Sequence, residues 1–233
     1  MKHGVIVLLA LGLASAPIAR AAGLNLAWDR CRGDSPVELV RTFACDDNQG
    51  SDVFVGSFIL GTPAPTASIV EMVYDIHSAS GGLLPAWWDL RSQSSCRGQL
   101  FADGVLPALA ASCQSWVPSG PRVVIIRYDY QLDAPDHAKL VVTARPTPLQ
   151  ALSLAAGVEY LGSRVLLSRV GAAPPGSCGG CLEPASITLS EVRVANPEQI
   201  LTAPAAGNVV FWQSAGPTPA RRTSWGAVKA LFH

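Results

Sequence analysis

The chain has 233 residues, of which 49% are hydrophobic and 15% charged, with Lys plus Arg and Asp plus Glu equal at 17 each. A zero formal charge, with no basic cluster larger than Arg221-Arg222, excludes the electrostatic footprint of a nucleic-acid binder. The length suits one large β domain, and the charge content lies well below the roughly 25% usual for soluble domains.

The first residues carry the three-part pattern of a secretory leader: Lys2, an unbroken apolar run from Val5 to Leu13, and small residues ending in Ala19-Arg20-Ala21-Ala22. The run is about half the length of the ~20-residue helix that crosses a bilayer. Cleavage is therefore expected after Ala21 or Ala22, and no later stretch is long and apolar enough to be a transmembrane segment. The expected organisation is a leader over 1–22, a single β domain over 23–215, and a linker with a short tail over 216–233.

Beyond the leader, Gly and Pro fall between short apolar or alternating runs, which favours strands. Val53–Leu60, Ser68–His77, Val123–Leu132, Lys139–Arg145, Val165–Val170, Ile187–Ala195 and Val209–Gln213 are rich in Val, Ile, Tyr or Phe and bounded by turn residues. In Val123–Leu132 the alternation puts Val124, Ile126, Tyr128 and Tyr130 on one face, as in a half-buried strand. Ile187, Leu189, Val192 and Val194 nearly alternate, with a slip at Ser190-Glu191 that reads as a bulge. Only Val105–Ser112 and Ser224–Phe232 have short helical spacing. Strands without long intervening helices point to an all-β fold, an antiparallel β-sandwich of immunoglobulin-like or jelly-roll type.

Six cysteines, Cys31, Cys45, Cys96, Cys113, Cys178 and Cys181, all follow the leader, and an even count in an exported chain implies three disulfides. Of the connectivities open to them, the sequence-local set Cys31 to Cys45, Cys96 to Cys113 and Cys178 to Cys181 is expected, since each closes a short segment between turn residues. Cys178-Gly179-Gly180-Cys181 has the spacing of a redox pair, but prolines precede it and a strand follows. A loop staple is the expected reading, because no helix N-terminus is at hand to stabilise a thiolate.

Further places along the chain carry candidate chemistry. Ala86-Trp87-Trp88-Asp89 is read as a strand whose successive residues face opposite ways, so one of Trp87 and Trp88 is core and the other either packs at a sheet edge or under a loop, or is exposed to stack a sugar ring or dock a surface protein. Trp116 and Trp212 are read as core. The Asp46, Asn48 and Asp52 oxygens alternate around Gly50, a partial match to a calcium loop that lacks the terminal glutamate and is equally ordinary turn chemistry. Asp75 with His77, and Asp136 with His137, supply two members of a hydrolase triad only if a Ser or Cys meets them in space. At the C-terminus, Trp225, Val228, Leu231 and Phe232 fall at helical spacing, suiting either a packed tail or a recognition tag.

The opening Gly23-Leu24-Asn25-Leu26-Ala27-Trp28 with Cys31, the Phe43-Ala44-Cys45-Asp46-Asp47-Asn48-Gln49-Gly50 segment, Cys178-Gly179-Gly180-Cys181-Leu182-Glu183-Pro184 and the Trp-Gly-x-x-Lys-x-Leu ending resemble a group of uncharacterised secreted proteins of environmental bacteria. The likeness spans the chain beyond the leader. It implies export and disulfide staples, and it transfers no catalytic residue. The functional expectation is a binding or structural module at the cell surface or outside, not an enzyme, with a glycan or surface protein as partner. The alternative is a secreted hydrolase whose site is assembled from distant loops.

Overall fold

The computed structural model describes residues 22–91, 97, 101–103, 112–117, 122–195, 198–202 and 207–213. The expected leader, apart from Ala22, the tail and the short helix expected at Val105–Ser112, apart from Ser112, lie outside them. The strands are β1 (Gly23–Trp28), β2 (Val40–Arg41), β3 (Ser51–Ile59), β4 (Ala64–Ala67), β5 (Ile69–Ser78), β6 (Phe101–Asp103) and β7 (Gln114–Ser115). They continue with β8 (Arg122–Tyr130), β9 (His137–Pro146), β10 (Leu152–Leu154), β11 (Glu159–Ser168), β12 (Ala185–Ala195), β13 (Gln199–Thr202) and β14 (Val209–Trp212). All seven runs expected to be strands are strands. Among the described residues the only helix is a 3-10 turn at Ala86–Trp88, and none is long and apolar enough to cross a membrane.

A five-stranded sheet runs β1-β3-β11-β6, with β7 added to β11, and a seven-stranded sheet runs β2-β14-β12-β5-β9-β8, with β13 added to β12. β10 and β4 form a separate pair. The fold is all-β, as expected, but not wholly antiparallel: β7 joins β11 and β2 joins β14 in parallel. Both parallel strands are two residues long and arrive from loops, where no hairpin fixes strand direction.

Side-chain alternation builds the layers. In β5, Val70, Met72, Tyr74 and Ile76 point inward and are buried, while Glu71, Val73, Asp75 and His77 point out. β12 repeats this with Ala185, Ile187 and Leu189. A register shift at Leu189/Glu191, where the bulge was expected, restores Val192 and Val194 to the inner face. The two sheets lie face to face: Phe54 of β3 meets Tyr74 of β5 edge-on at 5.3 Å between ring centroids, and Trp28 of β1 meets Trp212 of β14 at 6.1 Å. Each such large side chain, fully buried, contributes roughly 1.5–3 kcal/mol.

The sheets approach closely where the five-stranded one has no side chain. A Cβ on Gly56 of β3 would stand 2.1 Å from the Tyr74 hydroxyl, and one on Gly162 of β11 would stand 2.0 Å from the Met72 sulfur. Gly162 also sits at the register shift between Leu161 and Ser163. Across this seam the Tyr74 hydroxyl and Ser163 Oγ share a buried hydrogen bond of 2.6 Å. Burial in turn pushes the Tyr74 phenol well above its ordinary range.

The disulfides correct the sequence-local pairing. Cys31 pairs with Cys113 and Cys45 with Cys181, bridging sequence separations of 82 and 136. Cys178 is disulfide-bonded too, but not to Cys181, and Cys96 lies outside the described residues. The layering is the reason. The loop before β3 and the loop before β12 meet at one end of the core, so Cys45 finds Cys181 and not its sequence neighbour. Cys31 and Cys113 cover the outer face of the five-stranded sheet, packed with Val55 and Leu161.

Candidate functional site

Trp87 and Trp88 are both fully buried, so the expectation that one of them offers a binding face is overturned. They stand in a 3-10 turn, not a strand, and at three residues per turn neighbours need not face opposite ways. Trp87 stacks on Trp212 at 5.9 Å and Trp88 meets it edge-on at 6.1 Å, while Phe43 and Trp28 complete the cluster. Trp116 and Trp212 are core, as read from the sequence.

Over this cluster lies Arg97, which nothing in the sequence marked out. Its guanidinium carbon sits 3.3 Å from the Trp87 ring centroid, Nη1 donates to the Trp87 carbonyl at 2.7 Å, and Nη2 donates to the Ser168 carbonyl. Arg97 thus ties the 3-10 turn to the end of β11. At 3% exposure the cation is desolvated, which lowers its pKa, and Tyr128 and Asp52 act in the opposite sense. Arg97→Met keeps the stem but orphans two carbonyls and ends the ring contact, so it should cost about 2–3 kcal/mol. Urea unfolding followed by tryptophan fluorescence measures this. A cost under about 0.5 kcal/mol, the scale of an ordinary surface substitution, would refute a structural role.

The segment read as a partial calcium loop directs its oxygens elsewhere. Both amide atoms of Asn48 are used by Ala173, its Nδ2 donating to the carbonyl and its Oδ1 accepting from the backbone N–H, each at 2.9 Å. Asp52 is 1% exposed and accepts a two-pronged contact from Arg169, at 2.9 Å from Nε and 3.0 Å from Nη2, with Arg41 at 3.5 Å. Asp46 faces solvent, and Asp47 accepts from the Gln49 N–H as an ordinary turn residue does. The Asn48 and Asp52 side-chain oxygens are thus taken by protein donors, whereas Asp46 faces solvent.

The histidines are brought together differently from either sequence pairing. His77 of β5 and His137 of β9 are directly opposite, with rings stacked at 4.5 Å and 11°. Asp75 bonds His137 Nε2 at 2.8 Å and not His77, because Asp75 and His137 are diagonal neighbours on one face of the sheet. Ser186 of β12 is the register partner of His77 on the other side. Among the described residues no hydroxyl or thiol is hydrogen-bonded to either imidazole.

These groups open a broader polar face, the outer side of the seven-stranded sheet. Glu71, Asp75, Arg127, Lys139, Glu191 and Arg193 surround Val73 and Val141 in a shallow depression of about 300 Å³. The charges are already laddered. Arg193 pairs with Glu191 and, at 3.2 Å, with Glu71; Lys139 reaches Asp133 at 3.2 Å, and Arg127 reaches Asp129 at 3.3 Å. Such exposed pairs contribute little stability, of the order of 0–1 kcal/mol each, so their charge remains available to a partner.

What the fold and this face define is an all-β, disulfide-linked protein with one aromatic-rich core and a polar outer sheet surface. No protein-family model, curated protein or solved structure matches the chain.

Proposed function

We propose that this is an exported protein that works by non-covalent contact, as a binding or structural module, through the outer face of its seven-stranded sheet. The observation that carries the reading is the gathering of cationic and anionic side chains around the Val73 and Val141 depression. Its partner is a polar surface carrying both signs of charge, a glycan or a surface protein. Export follows from the expected leader, and the disulfides support it, since such bonds persist in oxidising compartments. The buried Trp87 and Trp88 play no part in contact.

The hydrolase reading has the Asp75 and His137 pair in its favour and no hydroxyl or thiol bonded to it among the described residues, so contact is preferred. The test is binding of purified protein to isolated cell-envelope material and to an array of charged glycans. Retention should fall as salt is raised toward 1 M, where screening acts within about 3 Å. It should also fall in the Lys139→Ser, Arg193→Ser double variant. Retention indifferent to both salt and these substitutions would overturn the assignment of this face.

A further inference from the structure

We propose that His77 and His137 form a surface site for a borderline transition-metal dication, Cu²⁺ foremost and Zn²⁺ after it, with two imidazole nitrogens from the protein and water completing the shell. This goes beyond the contact reading and does not depend on it.

The backbone fixes the spacing. The Ser78 N–H donates to the Asp136 carbonyl at 3.0 Å, which makes 78 and 136 a hydrogen-bonded position in the ladder. The next pair along, His77 and His137, is then a non-hydrogen-bonded one, the kind in which Cα atoms approach to about 4.5 Å and side chains lie nearest. The remaining backbone groups agree. The His137 N–H goes to the Ala134 carbonyl, and its own carbonyl accepts from Gln131, so neither is spent on His77.

The carboxylate fixes the chemistry. The Asp75 carboxylate can only accept a hydrogen bond, so in the neutral imidazole of His137, the form that binds a metal, the proton sits on Nε2 and Nδ1 keeps its lone pair. This is the arrangement found behind metal-bound histidines, where a carboxylate sets the tautomer, orients the ring and raises its basicity. His137 is held, with its side chain 11% exposed, whereas His77 is exposed and free to turn its ring about its own side-chain bonds. One oriented nitrogen and one adjustable nitrogen allow a metal to be gripped without moving the sheet. Among the described residues no group of three or more ligating side chains converges on a single point, which is why the protein supplies two ligands and solvent the rest.

Two neutral imidazoles select their ion. They suit copper, nickel and zinc, with copper the tightest of the divalent series, and they offer nothing to calcium or magnesium, which require oxygen ligands.

The experiment is calorimetric titration of the untagged, purified protein with CuCl₂, ZnCl₂ and CaCl₂ in a non-chelating buffer, with paramagnetic resonance of the copper complex. One Cu²⁺ per chain with nitrogen hyperfine structure is expected, with weaker Zn²⁺ binding and no heat from CaCl₂. His77→Gln and His137→Gln should each abolish the tight site, and Asp75→Ala should weaken it about 10–100-fold with the far-ultraviolet spectrum unchanged. His77 is exposed, so His77→Gln decides the matter even if His137→Gln fails to fold. Copper binding that is absent in the parent protein, or unchanged in His77→Gln, overturns the proposal.

Discussion

The variant Cys45→Ser, Cys181→Ser is expected to lose about 4–5 kcal/mol of unfolding free energy, because the bond it removes closes a loop with a sequence separation of 136. For a chain of this size that corresponds to a fall in melting temperature of about 10–20 °C. The unfolded chain without the bond is free to expand, and this is the larger part of the effect. The folded side contributes too. Cys181 is 4% exposed, and its carbonyl accepts from the Trp212 indole at 2.8 Å, so the bond holds its loop against the aromatic cluster. Phe43, two residues before Cys45, lies on the same ring at 6.2 Å.

Thermal and urea denaturation measure the loss, and thiol titration of the folded variant tests the connectivity. With the pairing in the structure, both partners of one bond leave together and no reactive thiol appears. With the sequence-local pairing, two separate bonds would break and Cys31 and Cys178 would be left reduced. Two titratable thiols per chain would therefore refute the long-range connection.

The contrast between local and long-range pairing marks how far the sequence could be read. Strands β5, β8, β9 and β12 are legible because a half-buried strand writes its environment every second residue, and the slip at Ser190-Glu191 betrays the bulge. β1 carries the same signal in Leu24, Leu26 and Trp28, all buried, but it adjoins the expected leader. The first half of β11 was hidden by Gly162, read as punctuation when it marks a close approach of sheets.

Pairing is a different kind of information. That Cys45 meets Cys181, or that Asp75 serves His137 and not His77, depends on strand order and register, which alternation along a single strand does not encode. Trp87 and Trp88 were misplaced for a local reason, since a 3-10 turn following Pro85 was read as a strand. Arg97 had no signal at all, because a lone cation in a loop looks solvated until the ring beneath it is known. The outer face was present in outline: the same alternation that buries Tyr74 and Ile76 sends Glu71, Asp75 and His77 outward.

Gly56→Ala should be among the most damaging single methyl additions in the molecule, costing about 3–5 kcal/mol. The new Cβ would lie 2.1 Å from the Tyr74 hydroxyl and 3.0 Å from the ring carbon that bears it, with the Met72 methyl at 2.8 Å. Overpacking of that kind costs about 1–3 kcal/mol. Displacing Tyr74 also breaks its hydrogen bond to Ser163, whose oxygen is buried and left unpaired for about 1–3 kcal/mol more. Tyr74→Phe alone removes only the second contribution. Combined with Gly56→Ala, it clears the atom nearest the new methyl, so the double variant should be more stable than the sum of the singles by about 1–2 kcal/mol.

Alkaline pH supplies a second handle on the same seam. The folded state raises the phenol pKa, so the stabilisation is complete below the unfolded value of about 10 and is lost as pH climbs above it. Tyr74→Phe should flatten part of that decline. Strict additivity of the two substitutions in denaturation experiments would mean that Gly56 and Tyr74 do not touch, and that the sheets stand further apart than the close approach of their backbones requires.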